Sequence, residues 1–315
     1  MKTRAGFSHS APFAHTYSII ARDPHSGEMG VAVQSHWFSV GSIVAWGEAG
    51  VGVVATQALA QVSYGPQGLV LMRLGVPAPA ALQALLSADE EREVRQVAML
   101  DAKGRAAAHT GSRCVAEAGH VLGEGFSAQA NMMASPTVWG AMAETYQRTE
   151  GDLAERLMAA LEAAQAEGGD LRGQQSACLL VVSGERTDQP WEGVRVNLRV
   201  DDHSQPLAEL RRLLRVQRAY EWMNRGDALL GIGDTEAAMQ AYRHAAALLP
   251  ENEEILFWQA VTLTDLGRLE EALPIFQEVF RRNPVWKVMV KRLPPAGLMR
   301  GEPEVVEKIT GSGSE

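Results

Sequence analysis

The chain has 315 residues, 46% of them hydrophobic, enough for two domains with separate cores. Its formal net charge of -9 argues against a nucleic-acid partner, since phosphate contacts need a concentrated positive surface. Only two cysteines occur, Cys114 and Cys178, so a disulfide scaffold is not expected and both read as free thiols of a reducing compartment. No membrane contact is expected either. The most apolar region, Ile43 to Ala60, is interrupted by Glu48 and by glycines. Residues 1–15, MKTRAGFSHSAPFAH, lack the apolar centre of a secretory signal, so a cytoplasmic location follows.

A first hairpin runs from Thr16 to Arg22, turns at Asp23-Pro24-His25-Ser26-Gly27 and returns from Met29 to Val33. Proline fixes φ in that turn and glycine tolerates positive φ. The hairpin opens on a threonine and carries Ser35 and His36 at the far end of its return strand. Short strands follow at Ile43–Trp46 and Gly50–Gln57, then helical periodicity from Pro66 to about Arg95 with a Gly-Val-Pro break. Val97 to His109 reads as a second hairpin turning at Asp101 to Gly104. A strand at Gly125–Asn131, helices at Pro136–Arg148 and Asp152–Glu167, and strands at Ser176–Val182 and Val194–Val200 close the unit. Because the helices arrive in pairs, this order suits two stacked antiparallel sheets flanked by helix layers, an α+β class.

The acidic link Asp201 to Pro206 leads into an all-helical end with an internal repeat. Gly233 and Gly267, Ala238 and Ala272, Tyr242 and Phe276, and Pro250 and Pro284 are each 34 residues apart. That period and those residue types are similar to tetratricopeptide repeats. The expected boundaries are a leader at 1–15, a first domain at 16–215, repeats at 216–293 and a partly disordered tail at 294–315.

Standard catalytic motifs are absent. There is no Walker phosphate loop, HExxH, CxxC or G-x-S-x-G, and the eight histidines are scattered, with His9, His15 and His25 reading as solvated. No metal site and no cofactor are expected. Polar residues do punctuate the strand ends: Ser35-His36, Thr56-Gln57, Gln129-Ala130-Asn131 and the run from Gly169 to Ser176. Each one alone reads as a cap or turn residue. Together they could converge on one rim of a sheet sandwich.

The segments TYSIIARDPHSGEMGVAVQSHWFSVG, GVGVVATQALAQVSYGPQG, DAKGRAAAHTG, GEGFSAQANMM and GGDLRGQQSACLLVV resemble an uncharacterised bacterial family, domain of unknown function 1028. The resemblance runs from Thr16 to about Leu214. It implies a place in the N-terminal-nucleophile (Ntn) hydrolase-like superfamily and a four-layer αββα sandwich similar to proteasome subunits. In that superfamily a Thr, Ser or Cys opening the first strand is the nucleophile, and its own α-amine is the base. An α-amine with a pKa of roughly 7.7–8.0 can take the hydroxyl proton, whereas a peptide amide cannot. Thr16 holds the matching position, so the resemblance makes residues 1–15 a possible propeptide. No lysine lies between Lys2 and Lys103, so the proteasome's lysine has no counterpart. Ser35, His36 or Asp170 are the candidates for its electrostatic role, and backbone N–H groups at Thr56-Gln57, or Asn131, for the oxyanion site.

Two functions are carried forward. One is an Ntn-type amidohydrolase cleaving a small amide or peptide. The alternative is a non-catalytic ligand-binding or scaffold protein. In both, the repeats dock a protein partner, and a homo-oligomer is the expected assembly.

Overall fold

The computed structural model describes residues 13–311. The first twelve residues of the expected leader and the last four of the tail lie outside the described residues. The chain divides into two compact units, one ending at Leu213 and one starting at Leu214.

In the first unit the elements are β1 (Phe13–Ala14), β2 (Thr16–Arg22), β3 (Met29–Ser35), β4 (Ala45–Glu48), β5 (Gly52–Leu59), α1 (Tyr64–Arg73) and α2 (Ala78–Ser87). They are followed by β6 (Arg95–Asp101), β7 (Ala106–Thr110), β8 (Gly119–Gly123), β9 (Phe126–Ala130), α3 (Val138–Arg148), α4 (Leu153–Ala166), β10 (Ser176–Val182) and β11 (Val194–Val200). One sheet has the order β1-β5-β6-β7, with β4 also paired to β5; the other has the order β11-β10-β3-β2-β9-β8. Every pairing in both sheets is antiparallel.

Strand alternation decides what each face buries. Ile20, Val31 and Val33 of the second sheet share one apolar cluster with Val53, Ala55, Ala98 and Leu100 of the first. The next residues along the same strands, Val54, Val97 and Met99, face the other way and pack on Leu69, Met72 and Leu82 of α1 and α2. Helices α3 and α4 lie against the second sheet. Gly30 permits that contact, because a Cβ there would sit 2.5 Å from Leu157 Cδ1. Helix α4 starts where the Asp152 carboxylate accepts from Glu155 N at 2.8 Å, a cap worth about 1 kcal/mol. The unit is mixed α/β with antiparallel sheets, and its helices come in pairs.

Two strands escape the sequence reading. β8 is bounded by glycines and only partly buried, so its periodicity is weak. β1 has two residues, too few for any pattern, yet Phe13 and Ala14 pair with Leu59 and Ala58. Residues 13–15 of the expected loose leader are therefore built into the fold.

The second unit contains most of α5 (Pro206–Gly231), then α6 (Thr235–Leu248), α7 (Glu253–Asp265), α8 (Leu269–Arg282), α9 (Val285–Arg292) and α10 (Pro303–Thr310). Its core holds Ala238, Tyr242, Phe257, Ala260, Ala272 and Phe276, all fully buried. The Phe257 and Phe276 rings meet edge to face at 5.8 Å. At the repeat-related positions Tyr242 and Phe276 the side chains are fully buried, while Trp222 and Leu256 are half-buried. Where composition pointed to a disordered tail, Pro303–Thr310 is helical with Ile309 buried, because Val305, Val306 and Ile309 share one face. Among the described residues no helix is long and apolar enough to cross a membrane.

Candidate active site

β1 lies in the first sheet and β2 in the second, so the chain changes sheets at His15. Thr16 opens β2 opposite Ser35, the last residue of β3. Alternation puts Thr16, Ser18 and Ile20 on the face of β2 that looks into the space between the sheets. Thr16 is fully buried there, and its hydroxyl donates to the Ala14 carbonyl at 2.7 Å.

The carbonyl of His15, at the peptide bond just before Thr16, accepts two hydrogen bonds. One comes from Ser35 Oγ at 2.6 Å and the other from Arg172 Nη2 at 2.8 Å. Asp170 fixes that guanidinium, accepting from Arg172 Nη2 at 2.7 Å, Nε at 3.0 Å and the Arg172 backbone N–H at 2.9 Å. Asp170 also accepts from His36 N at 3.2 Å. A fork paired to a carboxylate is a rigid donor, so its remaining direction toward His15 is set in advance.

His15 is itself buried, contrary to its expected solvated place, and its Nδ1 lies 2.7 Å from Asn131 Oδ1. The Asn131 amide nitrogen donates to Gln96 Oε1 at 2.9 Å, which leaves its oxygen as the acceptor for a neutral His15 ring. Burial holds the His15 pKa below its ordinary value. The Asn131 bond opposes that shift and the positive charge of Arg172 reinforces it.

Behind Thr16 the space between the sheets is polar. Gln57 Nε2 donates to the Thr16 carbonyl at 3.2 Å and to Gln96 Oε1 at 2.7 Å, while Ser18 Oγ donates to Gln57 Oε1 at 2.6 Å. Gln129 Nε2 donates to Ser18 Oγ at 2.7 Å, and Gln96 Nε2 donates to the Ala130 carbonyl at 2.8 Å. Gln57, Gln96 and Gln129 are all fully buried. Such a network holds its members rigidly because each lost partner would leave a buried polar group unpaired.

The expected site residues therefore divide. Thr16, Ser35, Asn131 and Gln57 meet directly, and Asp170 joins them through Arg172. The Asn131 backbone N–H, at 3.1 Å, and Gln57 both serve the carbonyl of Thr16 itself. His36 takes part only through its backbone, and its ring is exposed. Thr56 is not brought to Thr16: it alternates with Gln57, faces the helix side of β5, and its hydroxyl donates to the Gln61 carbonyl at 3.1 Å. Sequence reasoning passed over Gln96, read His15 as solvated, and gave Arg172 no role of its own within the run from Gly169 to Ser176. The signal for Arg172 was its place two residues after Asp170, the spacing at which an aspartate accepts from the backbone ahead. Among the described residues, no group of three or more His, Cys, Asp and Glu side chains could hold a metal ion.

Residues 16–210 match the family of unknown function DUF1028, over more than half of the chain and starting at Thr16. The chain belongs to the DUF1028 family. The crystal structure of protein SPO2555 from Silicibacter pomeroyi, also assigned to DUF1028, is similar to it with a TM-score of 0.57 and 33% sequence identity. That similarity covers 64% of this chain and 88% of the other. Residues 229–291 match a tetratricopeptide repeat, so this DUF1028 chain carries repeats after its family domain. No curated protein matches the chain.

Proposed function

We propose that the DUF1028 unit is an Ntn-type amide hydrolase held in a latent state, with Thr16 as its nucleophile. Two facing sheets between helix pairs suit the four-layer αββα sandwich of that superfamily, and the family match begins at this threonine. One observation carries the reading. The carbonyl of the peptide bond before Thr16 is gripped by Ser35 Oγ and the Arg172 guanidinium.

That arrangement is built for charge on the His15 oxygen. When Thr16 Oγ attacks the His15 carbonyl carbon, the C–O π pair moves onto that oxygen, where two donors already point. A positioned donor at such an oxyanion typically contributes about 3–4 kcal/mol to the barrier. The carbon–nitrogen bond then breaks and the hydroxyl proton ends on the Thr16 nitrogen, leaving an ester on Oγ and a new α-amine. Water adds to the ester, the carbon–Oγ bond breaks, and a proton returns to Oγ. The products are a fragment ending in the His15 carboxylate and a chain beginning at Thr16.

Release of His15 vacates Ser35 Oγ, one Arg172 N–H and the Asn131 oxygen. The same two donors then meet the carbonyl of an incoming small amide or peptide, and the Thr16 amine serves as its base. Arg172 supplies the positive charge for which the sequence offers no lysine. The tetratricopeptide repeats suit docking of a protein partner.

A second reading rests on a different observation. With His15 in place Thr16 is fully buried, its hydroxyl and carbonyl both engaged, which fits a binding or scaffold protein that never matures. A β-lactone probe for nucleophilic threonine separates the two. Labelling of a chain that begins at Thr16, lost in Thr16→Ala, is expected for the hydrolase. Equal labelling of both proteins removes it.

A further inference from the structure

At the other end of β2, about 20 Å from Thr16 by strand rise, lies a separate cleft. The β2–β3, β6–β7 and β8–β9 turns surround it together with the end of α3 and the first turn of α4. Its volume is about 520 Å³, within the range of small-molecule sites. Arg22, Lys103 and Arg156 line it, with the Phe126 and Tyr146 rings alongside and Glu124 also on the lining.

Arg22 is the unusual member. It ends the inward-facing series Thr16, Ser18, Ile20, and its Cδ runs past Gly104, where an added Cβ would come within 3.7 Å. Its Nε is fully buried and has no hydrogen-bond partner among the described residues. A buried N–H without an acceptor is costly, because that donor has lost water and gained nothing in exchange, although the half-buried Arg22 side chain still reaches the cleft. Arg156 is accounted for: it pairs with Asp23 at 3.4 Å and stacks 4.2 Å from the centre of the Tyr146 ring. Lys103 stands exposed at the rim and makes no ion pair among the described residues. Asp23 and Glu124 offset part of this positive charge, and Arg22 remains as the cation with an unmet donor.

We propose that this cleft binds the anionic group, carboxylate or phosphate, of a small molecule, with the Arg22 guanidinium as its inner contact and Lys103 as its outer contact. The guanidinium edge suits two oxygens of one such group. The site is independent of Thr16 and of any cleavage there.

Calorimetric titration of the full-length chain with inorganic phosphate and, separately, with succinate tests the proposal. Saturable binding of either at one site per chain is expected, and the tighter of the two names the oxygen class. Arg22→Gln should weaken it about tenfold or more, the loss expected for one charged hydrogen bond. Lys103→Ala should weaken it about threefold, and Glu124→Gln, which removes a repelling charge, should tighten it by a similar factor. Both of these positions are exposed, so the two variants report even if Arg22→Gln fails to fold. Absence of saturable binding by both anions overturns the proposal, as does unchanged affinity in Lys103→Ala and Glu124→Gln.

Discussion

Arg172 donates through Nη2 to the His15 carbonyl at 2.8 Å while the same nitrogen and Nε hold Asp170. The cation is thus aimed at the oxygen that would turn anionic if Thr16 attacked the peptide bond before it. Lysine keeps the charge but not the fork, so it cannot hold Asp170 and His15 in one geometry. Arg172→Lys should slow cleavage after His15 about a hundredfold, the usual effect of losing one oxyanion donor. Intact mass followed over time measures it. A wild-type rate in the lysine variant would remove Arg172 from the site.

Gln96 should matter for stability more than any other residue of the buried network. Its oxygen accepts from Gln57 and Asn131, and its nitrogen donates to the Ala130 carbonyl, joining both sheets. Gln96→Ala strands these partners without water, at about 1–3 kcal/mol for each unpaired group. A loss of about 3 kcal/mol in the denaturant unfolding of the first unit is expected. A change under about 0.5 kcal/mol would mean the network is not cooperative.

Much of the scaffold around this site was legible beforehand. Pro24 and Gly27 announce the first turn, and Asp152 before an apolar helical run announces the start of α4. Gln57 and Gln129 stood out as polar residues at strand ends, but the extent of the polar interior was hidden because Ser18 and Gln96 sit within otherwise ordinary strand patterns. In a sequence that pattern reads as a strand with one wet face. Here both faces are covered, so the polar side became a hydrogen-bonded layer instead. β1 and the buried His15 were hidden for another reason. Two residues carry no period, and their order comes from the free edge of β5, a long-range partner no local pattern reveals.

The pH dependence follows from His15. Burial is the main cause of its lowered pKa, with a contribution from Arg172 that the Asn131 bond opposes. Between the lowered folded value and the ordinary 6.5, the unfolded chain binds a proton that the folded chain does not. The neutral ring's contribution is therefore complete above about pH 6.5 and is lost as pH falls through the folded value. Thermal melting of the first unit should drop between about pH 7 and pH 5, and His15→Gln should flatten that drop. An identical slope in both proteins would contradict the assignment.

In the repeats, Tyr242 is fully buried against Gly226, where an added Cβ would lie 2.9 Å from the ring. Its hydroxyl donates to Asp227. Tyr242→Ala should cost the second unit about 3 kcal/mol, the usual scale for emptying an aromatic site, and Tyr242→Phe about 1 kcal/mol. Unfolding curves of the full chain, with a probe confined to the repeats, test both. Equal losses in the two variants would show that the hydroxyl, not the ring, supports the packing.

The most direct test of the latent-nucleophile account is the intact mass of the purified full-length chain during incubation at neutral pH, beside Thr16→Ala. The account predicts that wild type converts to a chain beginning at Thr16 plus a fragment ending in His15, while Thr16→Ala stays whole. A folded wild-type chain that keeps its full mass throughout, or cleavage at the same rate in Thr16→Ala, would contradict it.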